Sequence, residues 1–378
     1  MQSKCTQARV QFPKIASFMM DLDNPSHGSK NTEYGYLYMN EQDLNYSKGT
    51  ISISLMHEAL LSAQHQGLNT QNILVKSGIQ TELLQSSKAR VSVSQYAQLW
   101  TELADVMNDE FFGMDSHPMR RGSFKLLSKS VIHAETLEKA LQQILQFLNL
   151  ILDDFVSQLF VQENYAYIVI YEQKQTKRMF SYATYLMLIH GLMCWLSGQR
   201  VLLNQIQLKC DAPLDDQDYK VRFCENIQYN SNENYIQFDA NYLNIQIKQD
   251  KQSWYQFIQQ TPHNLLVRFK NPHAISSQIR KHLMNVPPAE WLELNEIAQR
   301  LNMSDATMQR RLKSEGVSYQ QLKNDIRRDT AIEFLTKTEK TLQEISDELN
   351  FHDPSAFHRA FKKWTGVSPG AYRQNKDL

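Results

Sequence analysis

Two arginines, Arg310 and Arg359, lie 49 positions apart, each among residue types that read a DNA duplex. Around the first are Ala306, Thr307, Gln309 and Lys313. Around the second are Pro354, Ser355, Ala356, His358, Lys362 and Lys363. A guanidinium can donate twice to the O6 and N7 of guanine, and a glutamine amide can pair in the same bidentate way with adenine. Lysines and arginines near a helix end neutralise phosphate and set register without reading sequence. Ala306 and Ala356 are small, so any direct base code would rest on a few long side chains.

These residues belong to a pattern that occurs twice. In the first copy Leu294, Ile297, Ala298 and Leu301 fall at i, i+3, i+4 and i+7, the spacing of one buried helix face. Asn302 breaks that helix, Ser304 can cap a new one, and Met308 and Leu312 give the new helix its inner face. In the second copy Leu342, Ile345 and Leu349 repeat the face, Asn350 breaks it, and Phe357, Ala360 and Phe361 point inward. Ile345 follows Ile297 by 48 positions, and Gly316-Val317-Ser318 recurs 50 positions later as Gly366-Val367-Ser368. Asparagine is suited to both breaks because it tolerates the left-handed backbone that ends a helix. Thr341 with Glu344 spells a capping box, and Asp353 caps a helix that has Pro354 in its first turn. Each copy therefore reads as helix, turn, helix. The helix between the copies, Tyr319–Thr336, would hold the two recognition helices about one DNA turn, ~34 Å, apart. One such copy is a common pattern whose arginine reads equally well as part of a solvated helix face. Two copies with equivalent arginines and matching caps point to DNA.

The rest of the chain must carry and control these helices. At 378 residues it calls for two domains, and a hydrophobic content of 42% is enough to bury their cores. Lys+Arg (40) equals Asp+Glu (40), but from His263 onward there are 18 basic against 14 acidic residues, a surplus at the nucleic-acid-facing end. Cys5, Cys194, Cys210 and Cys224 show neither metal-ligand spacing nor a disulfide framework, so they read as reduced thiols of a cytoplasmic protein. No secretory signal is visible. The apolar run Tyr185–Leu196 is too short to span a bilayer and reads as a buried helix. No HExxH, GxSxG, Walker A or GxGxxG motif is present, so no enzyme, cofactor or metal is expected. Asp153-Asp154 reads as a solvated helix end, and His190 as a core histidine.

Residues 1–48 read as a poorly ordered leader or an over-long start, with Met39 as an alternative beginning. Helices are expected from Ile51 to Gly67, over Ser94–Met107 and over Thr136–Ile151. Strands Phe155–Val161 and Tyr165–Tyr171 then pair through a turn at Glu163-Asn164. A helix over Phe180–Leu196 and strands near Val201–Cys210 and Tyr235–Asp239 complete an α+β domain over 49–248. Residues 249–275 read as a linker region, and 276–378 as an all-α domain.

The segment Glu344–Arg373 closely resembles the AraC/XylS family of transcription regulators, whose final helix-turn-helix ends in a similar FxRxFKxxxGxxPxxYR pattern. The stretch Leu294–Leu322 is similar to the first unit of the same domain. The resemblance implies that Ala306, Gln309, Arg310, Pro354, Ser355, Ala356 and Arg359 face bases or backbone. Asn302 and Asn350 stand where the family usually has Gly, and Ser346 where Ala is usual. Gly122–Leu141 and Tyr219–Leu243 resemble pieces of the arabinose-binding-like sensor domain of one branch of the family, with Cys224 in place of a usual Gly. The implied protein is a sequence-specific regulator of promoter DNA, an activator by family habit, controlled by a small-molecule effector of open identity. RNA polymerase is the implied partner, a homodimer is left open, and no membrane is involved. The alternative is an interaction module that kept the fold and lost DNA binding. The effector-binding residues, the operator and the sign of regulation are left open.

Overall fold

The first described strand, β1 (Thr50–Ser52), pairs antiparallel with β2 (Arg90–Ser92), with Ile51 opposite Val91, in a small ribbon of its own. The computed structural model describes residues 49–266, 275–314 and 317–373; the expected leader and the glycine of the Gly316 repeat lie outside them. Helix α1 (Ile53–His65) follows the first strand and stops at Gly67, whose φ of +72° is the left-handed ending its sequence promised. Helix α2 (Thr70–Lys76) and a 3₁₀ turn (Thr81–Gln85) lead to the second strand. Helix α3 (Val93–Met107) begins on a capping box formed by Ser92 and Gln95.

Helix α4 (Ser123–Ser130) was not expected from the sequence. Helix α5 (Leu137–Ile151) was, and it buries Leu137, Ala140, Leu141, Ile144, Leu145 and Leu148 along one stripe. Strands β3 (Phe155–Gln162) and β4 (Tyr165–Glu172) form the anticipated hairpin, with Glu163 at φ +54° in its turn. The sheet gains β5 (Leu203–Gln207), β6 (Ile227–Gln228) and β7 (Asn234–Asp239) in the order β3-β4-β7-β5-β6. Every pairing is antiparallel except β5 with β6. Alternation along β4 buries Ala166, Ile168 and Ile170 and turns Tyr165 and Tyr171 outward.

Helix α6 (Met179–Ser197) matches the helix expected over Phe180–Leu196 and extends past its most apolar run, Tyr185–Leu196. Its 19 residues would suffice to cross a membrane by length, but nearly the whole helix is buried inside the protein. It lies between α5 and β3 on one side and α1 on another, so no face of it needs polar residues. Helix α7 (Gln217–Arg222) sits before the sixth strand. Cys194, Cys210 and Cys224 are free thiols.

Of residues 249–275, expected as a linker region, 249–266 are built into the domain and 267–274 lie outside the described residues. Helix α8 (Lys251–Gln259) opens on an Asp250–Ser253 capping box and buries Trp254 and Phe257, and Phe257 stacks on Trp195 at 4.4 Å. Helix α9 (His263–Leu266) presses Leu265 against α6 at Gly191, where a Cβ would meet the Leu265 Cδ2 at 2.4 Å.

The remaining helices are α10 (Ile275–Met284), α11 (Leu294–Arg300), α12 (Asp305–Ser314), α13 (Tyr319–Lys337), α14 (Leu342–Glu348) and α15 (Pro354–Thr365), closed by a 3₁₀ turn at Pro369–Tyr372. They divide between two cores. Ile275, Ile279, Leu283, Ile297, Ala298, Met308, Leu312, Tyr319, Leu322 and Ile326 form a core of their own. Ala331, Ile332, Leu335, Ile345, Leu349, Phe357, Phe361 and Tyr372 instead belong to the large core that fills the α+β region.

Candidate nucleic-acid interface

The two copies of the repeat end their first helices with the same hydrogen bonds. In the first, Met303 N donates to Ala298 O at 2.9 Å and Asn302 N to Gln299 O at 3.0 Å. In the second, Phe351 N donates to Ser346 O and Asn350 N to Asp347 O, both at 3.0 Å. This is the Schellman arrangement, which satisfies the last carbonyls of a helix and needs a left-handed residue just past its end. Asn302 at φ +52° and Asn350 at φ +56° supply it.

The second helices start alike as well. Ser304 Oγ accepts from Thr307 N at 3.3 Å, and Asp353 Oδ1 accepts from Ala356 N at 2.7 Å. Thr341 and Glu344 form the expected capping box of α14. Met308 and Leu312 anchor α12, while Phe357, Phe361 and Thr365 anchor α15.

With the inner faces fixed, the opposite faces point to solvent. Ala306, Gln309, Arg310 and Lys313 are exposed on α12, and Ser355, His358, Arg359, Lys362 and Lys363 on α15. Thr307, Pro354 and Ala356 are half-buried, and the Thr307 hydroxyl accepts from the Ser304 hydroxyl at 3.0 Å. Arg310 and Arg359 have no hydrogen-bond or ion-pair partner among the described residues. Each helix therefore presents a guanidinium, a further polar reader and a lysine on one side, with donors uncommitted. A face of this kind can form bidentate bonds to base edges and neutralise phosphate.

The spacing of the faces depends on residues that the sequence did not single out. Arg327 on α13 lies over the rings of Trp291 and Phe351, at 5.0 and 5.5 Å, and its Nε donates to Leu349 O at 3.0 Å. One side chain thus ties the entrance of the first unit to the turn of the second. The Tyr319 hydroxyl donates to Leu292 O at 2.5 Å and holds the start of α13 against the same entrance. No periodicity marks Arg327 in the sequence, where it is one cation among several on a polar helix.

Elsewhere, a cleft of about 220 Å³ is lined by Ser77, Ser92, Ser94, Gln95, Gln98, Thr336 and Lys337. It is smaller than the ~300–1,000 Å³ usual for a ligand pocket. His190 is buried with Nε2 against Val201 O and its pKa pushed down to about 3 by burial, so it is the neutral core residue expected, although its Nδ1 has no hydrogen-bond partner among the described residues. Asp154, also read as a solvated helix end, is instead buried. It accepts from Ser116 Oγ at 2.6 Å and pairs with Lys177 at 2.5 Å and Lys174 at 3.0 Å, closing the loop before the hairpin. Burial raises the pKa of the Cys194 thiol, which favours its protonated form.

Residues 67–247 match the model of the arabinose-binding domain of AraC transcription regulators, N-terminal, and residues 297–375 match a helix-turn-helix domain. The chain belongs to the AraC family of transcription regulators. Among its relatives is the ornithine utilization regulator of Pseudomonas aeruginosa, 23% identical over 344 residues, covering 88% of this chain and 99% of that one. The virulence regulon transcriptional activator VirF of Shigella flexneri is 31% identical over 96 residues, covering 25% of this chain and 36% of VirF. A solved structure, the transcriptional regulator CdpR from Pseudomonas aeruginosa, covers 91% of this chain and 100% of its own at 17% identity, with a TM-score of 0.29. As an AraC-family member the chain is a DNA-binding transcriptional regulator with an N-terminal ligand-binding domain.

Proposed function

We propose that α12 and α15 enter successive major grooves of one promoter duplex, with Arg310 and Arg359 reading base edges. Gln309, Ser355 and His358 support them at bases, while Lys313, Lys362 and Lys363 meet phosphate. The observation that carries this reading is the pair of exposed, uncommitted arginines on helices cut and capped by the same turn geometry. A small-molecule effector bound to the N-terminal domain shifts the balance between two arrangements of the protein by binding them unequally, since equal binding shifts nothing. Ornithine is the first compound to screen, because the relative matched over almost its whole length is named for its utilization. In this reading the chain acts in the cytoplasm and contacts RNA polymerase at the promoter. A homodimer would add affinity and spacing control.

The test is selection of duplexes from a random library by the full-length chain, followed by binding at two salt concentrations. Enrichment of a two-part site, with affinity falling as salt rises, is the expected result. A folded chain that enriches no sequence and binds no duplex at low salt contradicts the reading.

A further inference from the structure

One carboxylate joins three parts of the molecule. Thr50, on the β1–β2 ribbon, donates its hydroxyl hydrogen to Asp329 Oδ1 on α13 at 2.7 Å, in a buried bond between residues 279 positions apart. Arg90 holds Thr50 in place: its Nε donates to Thr50 Oγ1 at 2.8 Å and its Nη2 to Thr50 O at 2.7 Å. The same Nη2 donates to Asp218 Oδ1 at 2.6 Å, and Asp218 Oδ2 accepts from Ser52 N at 2.8 Å. On its other side Asp329 Oδ1 accepts from Arg328 Nε and Nη2 at 3.1 and 2.9 Å, while Oδ2 faces Arg280 Nη1 at 3.7 Å. Arg328 also donates to Asp325 at 2.9 Å. Three aspartates and three arginines thus meet at a junction whose centre, Asp329 with Thr50, is buried and whose other charged members are partly exposed.

The elements they come from give the junction its meaning. Asp218, Arg90 and Thr50 belong to the N-terminal domain, and Asp329 sits on the helix that bridges the two DNA-binding units. Arg280 sits on α10, beside Ile279 and Leu283 of the first unit's separate core. The second unit is tied to the N-terminal domain chiefly by apolar burial, reinforced by hydrogen bonds from Arg90 N and Ser86 Oγ. The first unit shares no residue with that core; it meets the junction through the Arg280–Asp329 ion pair at 3.7 Å and through α13, whose Tyr319, Leu322 and Ile326 lie in its own core and whose Ala331, Ile332 and Leu335 lie in the large one. Buried polar networks form and break as units, as a switch between two arrangements requires.

We propose that Asp329, with Thr50 and Arg280, is a latch through which the N-terminal domain sets the angle of the first DNA-binding unit relative to the second. The second unit is the fixed end and the first is the movable one. This rests on both units binding DNA, but part of the test does not.

Thr50→Val removes the donor while keeping the shape, and Asp329→Asn weakens every charged contact. Thr336→Val on the same helix is the control, because among the described residues that hydroxyl bonds only within its own helix. In the full-length chain, hydrogen exchange across α10–α12 should quicken about tenfold or more in Thr50→Val and Asp329→Asn, with α14–α15 and the β3–β7 sheet unchanged. Should Asp329→Asn fail to fold, Thr50→Val decides. Unchanged exchange in α10–α12, or an equal rise in α15, overturns the latch.

The second arm uses duplexes selected by the wild-type chain, with two or four base pairs inserted between the half-sites. Wild type should lose affinity steeply on insertion and Thr50→Val several-fold less. Identical losses overturn the angle-setting role. A wild-type chain that selects no duplex contradicts the function proposed above, and the exchange arm still decides the latch.

Discussion

The two helix-turn-helix units share local chemistry and differ in what they lean on. Both end their first helix on a left-handed asparagine with the same pair of hydrogen bonds, and both cap their second helix with a side-chain oxygen. Yet the first unit closes around its own small core, while the second contributes Phe357, Phe361 and Tyr372 to the core of the N-terminal domain. Hydrogen bonds reinforce that docking. Arg90 N donates to the Tyr372 hydroxyl at 3.0 Å and Ser86 Oγ to Thr365 O at 2.9 Å. Local code thus decides that a helix-turn-helix forms, and tertiary embedding decides what moves with it.

Core truncations test that difference most strongly. Phe361→Ala empties a fully buried site and should cost about 3–5 kcal/mol. Because the site lies in the shared core, calorimetry should show the main unfolding transition shifting as a whole. Met308→Ala, at about 2–5 kcal/mol, should split off an early transition for the first unit and leave the main one in place. Equal displacement of the main transition by both variants would mean that the two cores are energetically one.

Gly366→Ala probes the docking contact itself. Gly366 has φ +76°, and a Cβ there would stand 2.2 Å from Ser86 Oγ, so backbone strain and overpacking combine to about 2–4 kcal/mol. Denaturant unfolding checks this, and a loss below 0.5 kcal/mol, as an order of magnitude for a neutral surface change, would place the second unit off the N-terminal domain.

The latch predicts an acid limit. Burial raises the Asp329 carboxyl, but Arg328, Arg280, Arg90 and the Thr50 hydroxyl outweigh it and hold the group below the ordinary carboxylate range. A depressed folded value contributes stability that is present above the unfolded pKa of about 4 and is lost as pH falls through the folded one. The stability gap between wild type and Asp329→Asn should therefore be full above about pH 5 and shrink by up to ~1.4 kcal/mol per pH unit below pH 4. A gap independent of pH would remove the charge from the account.

The smallest effect sits where the repeats differ by one atom. Ala298 and Ser346 occupy equivalent, fully buried positions, and the Ser346 hydroxyl has no hydrogen-bond partner among the described residues. Ser346→Ala should stabilise the chain by about 1 kcal/mol, read as a raised melting temperature. A lowered one would reveal a bond to that hydroxyl.

Much of this was legible in the sequence because it is local. The Asn302 and Asn350 breaks, the Thr341–Glu344 box, the Asp353 cap and the β3–β4 hairpin stand where the residues put them. Periodicity names the buried face of a helix without naming its partner. It marked Phe357 and Phe361 as inward but gave no hint that they meet the N-terminal domain. The same limit explains residues 249–266, where a helix-like piece among Gln-rich sequence and Pro262 read as linker because nothing in it named the packing of Trp254, Phe257 and Leu265 that builds two short helices into the domain. Asp329 and Arg327 were illegible because a polar residue on a helix reads as solvated until tertiary structure buries it. The outward residues of α12 and α15 follow from the inward ones and were legible as soon as the repeat was.

The most direct test of the central claim pairs each arginine with one half-site. Fluorescence anisotropy would measure the full-length wild type, Arg310→Ala and Arg359→Ala on a selected two-part duplex and on versions with either half scrambled. The account predicts that each variant loses about 1–3 kcal/mol of sequence preference, Arg310→Ala at one half only and Arg359→Ala at the other. Loss at the same half by both variants, or at neither while the chain stays folded, would contradict it.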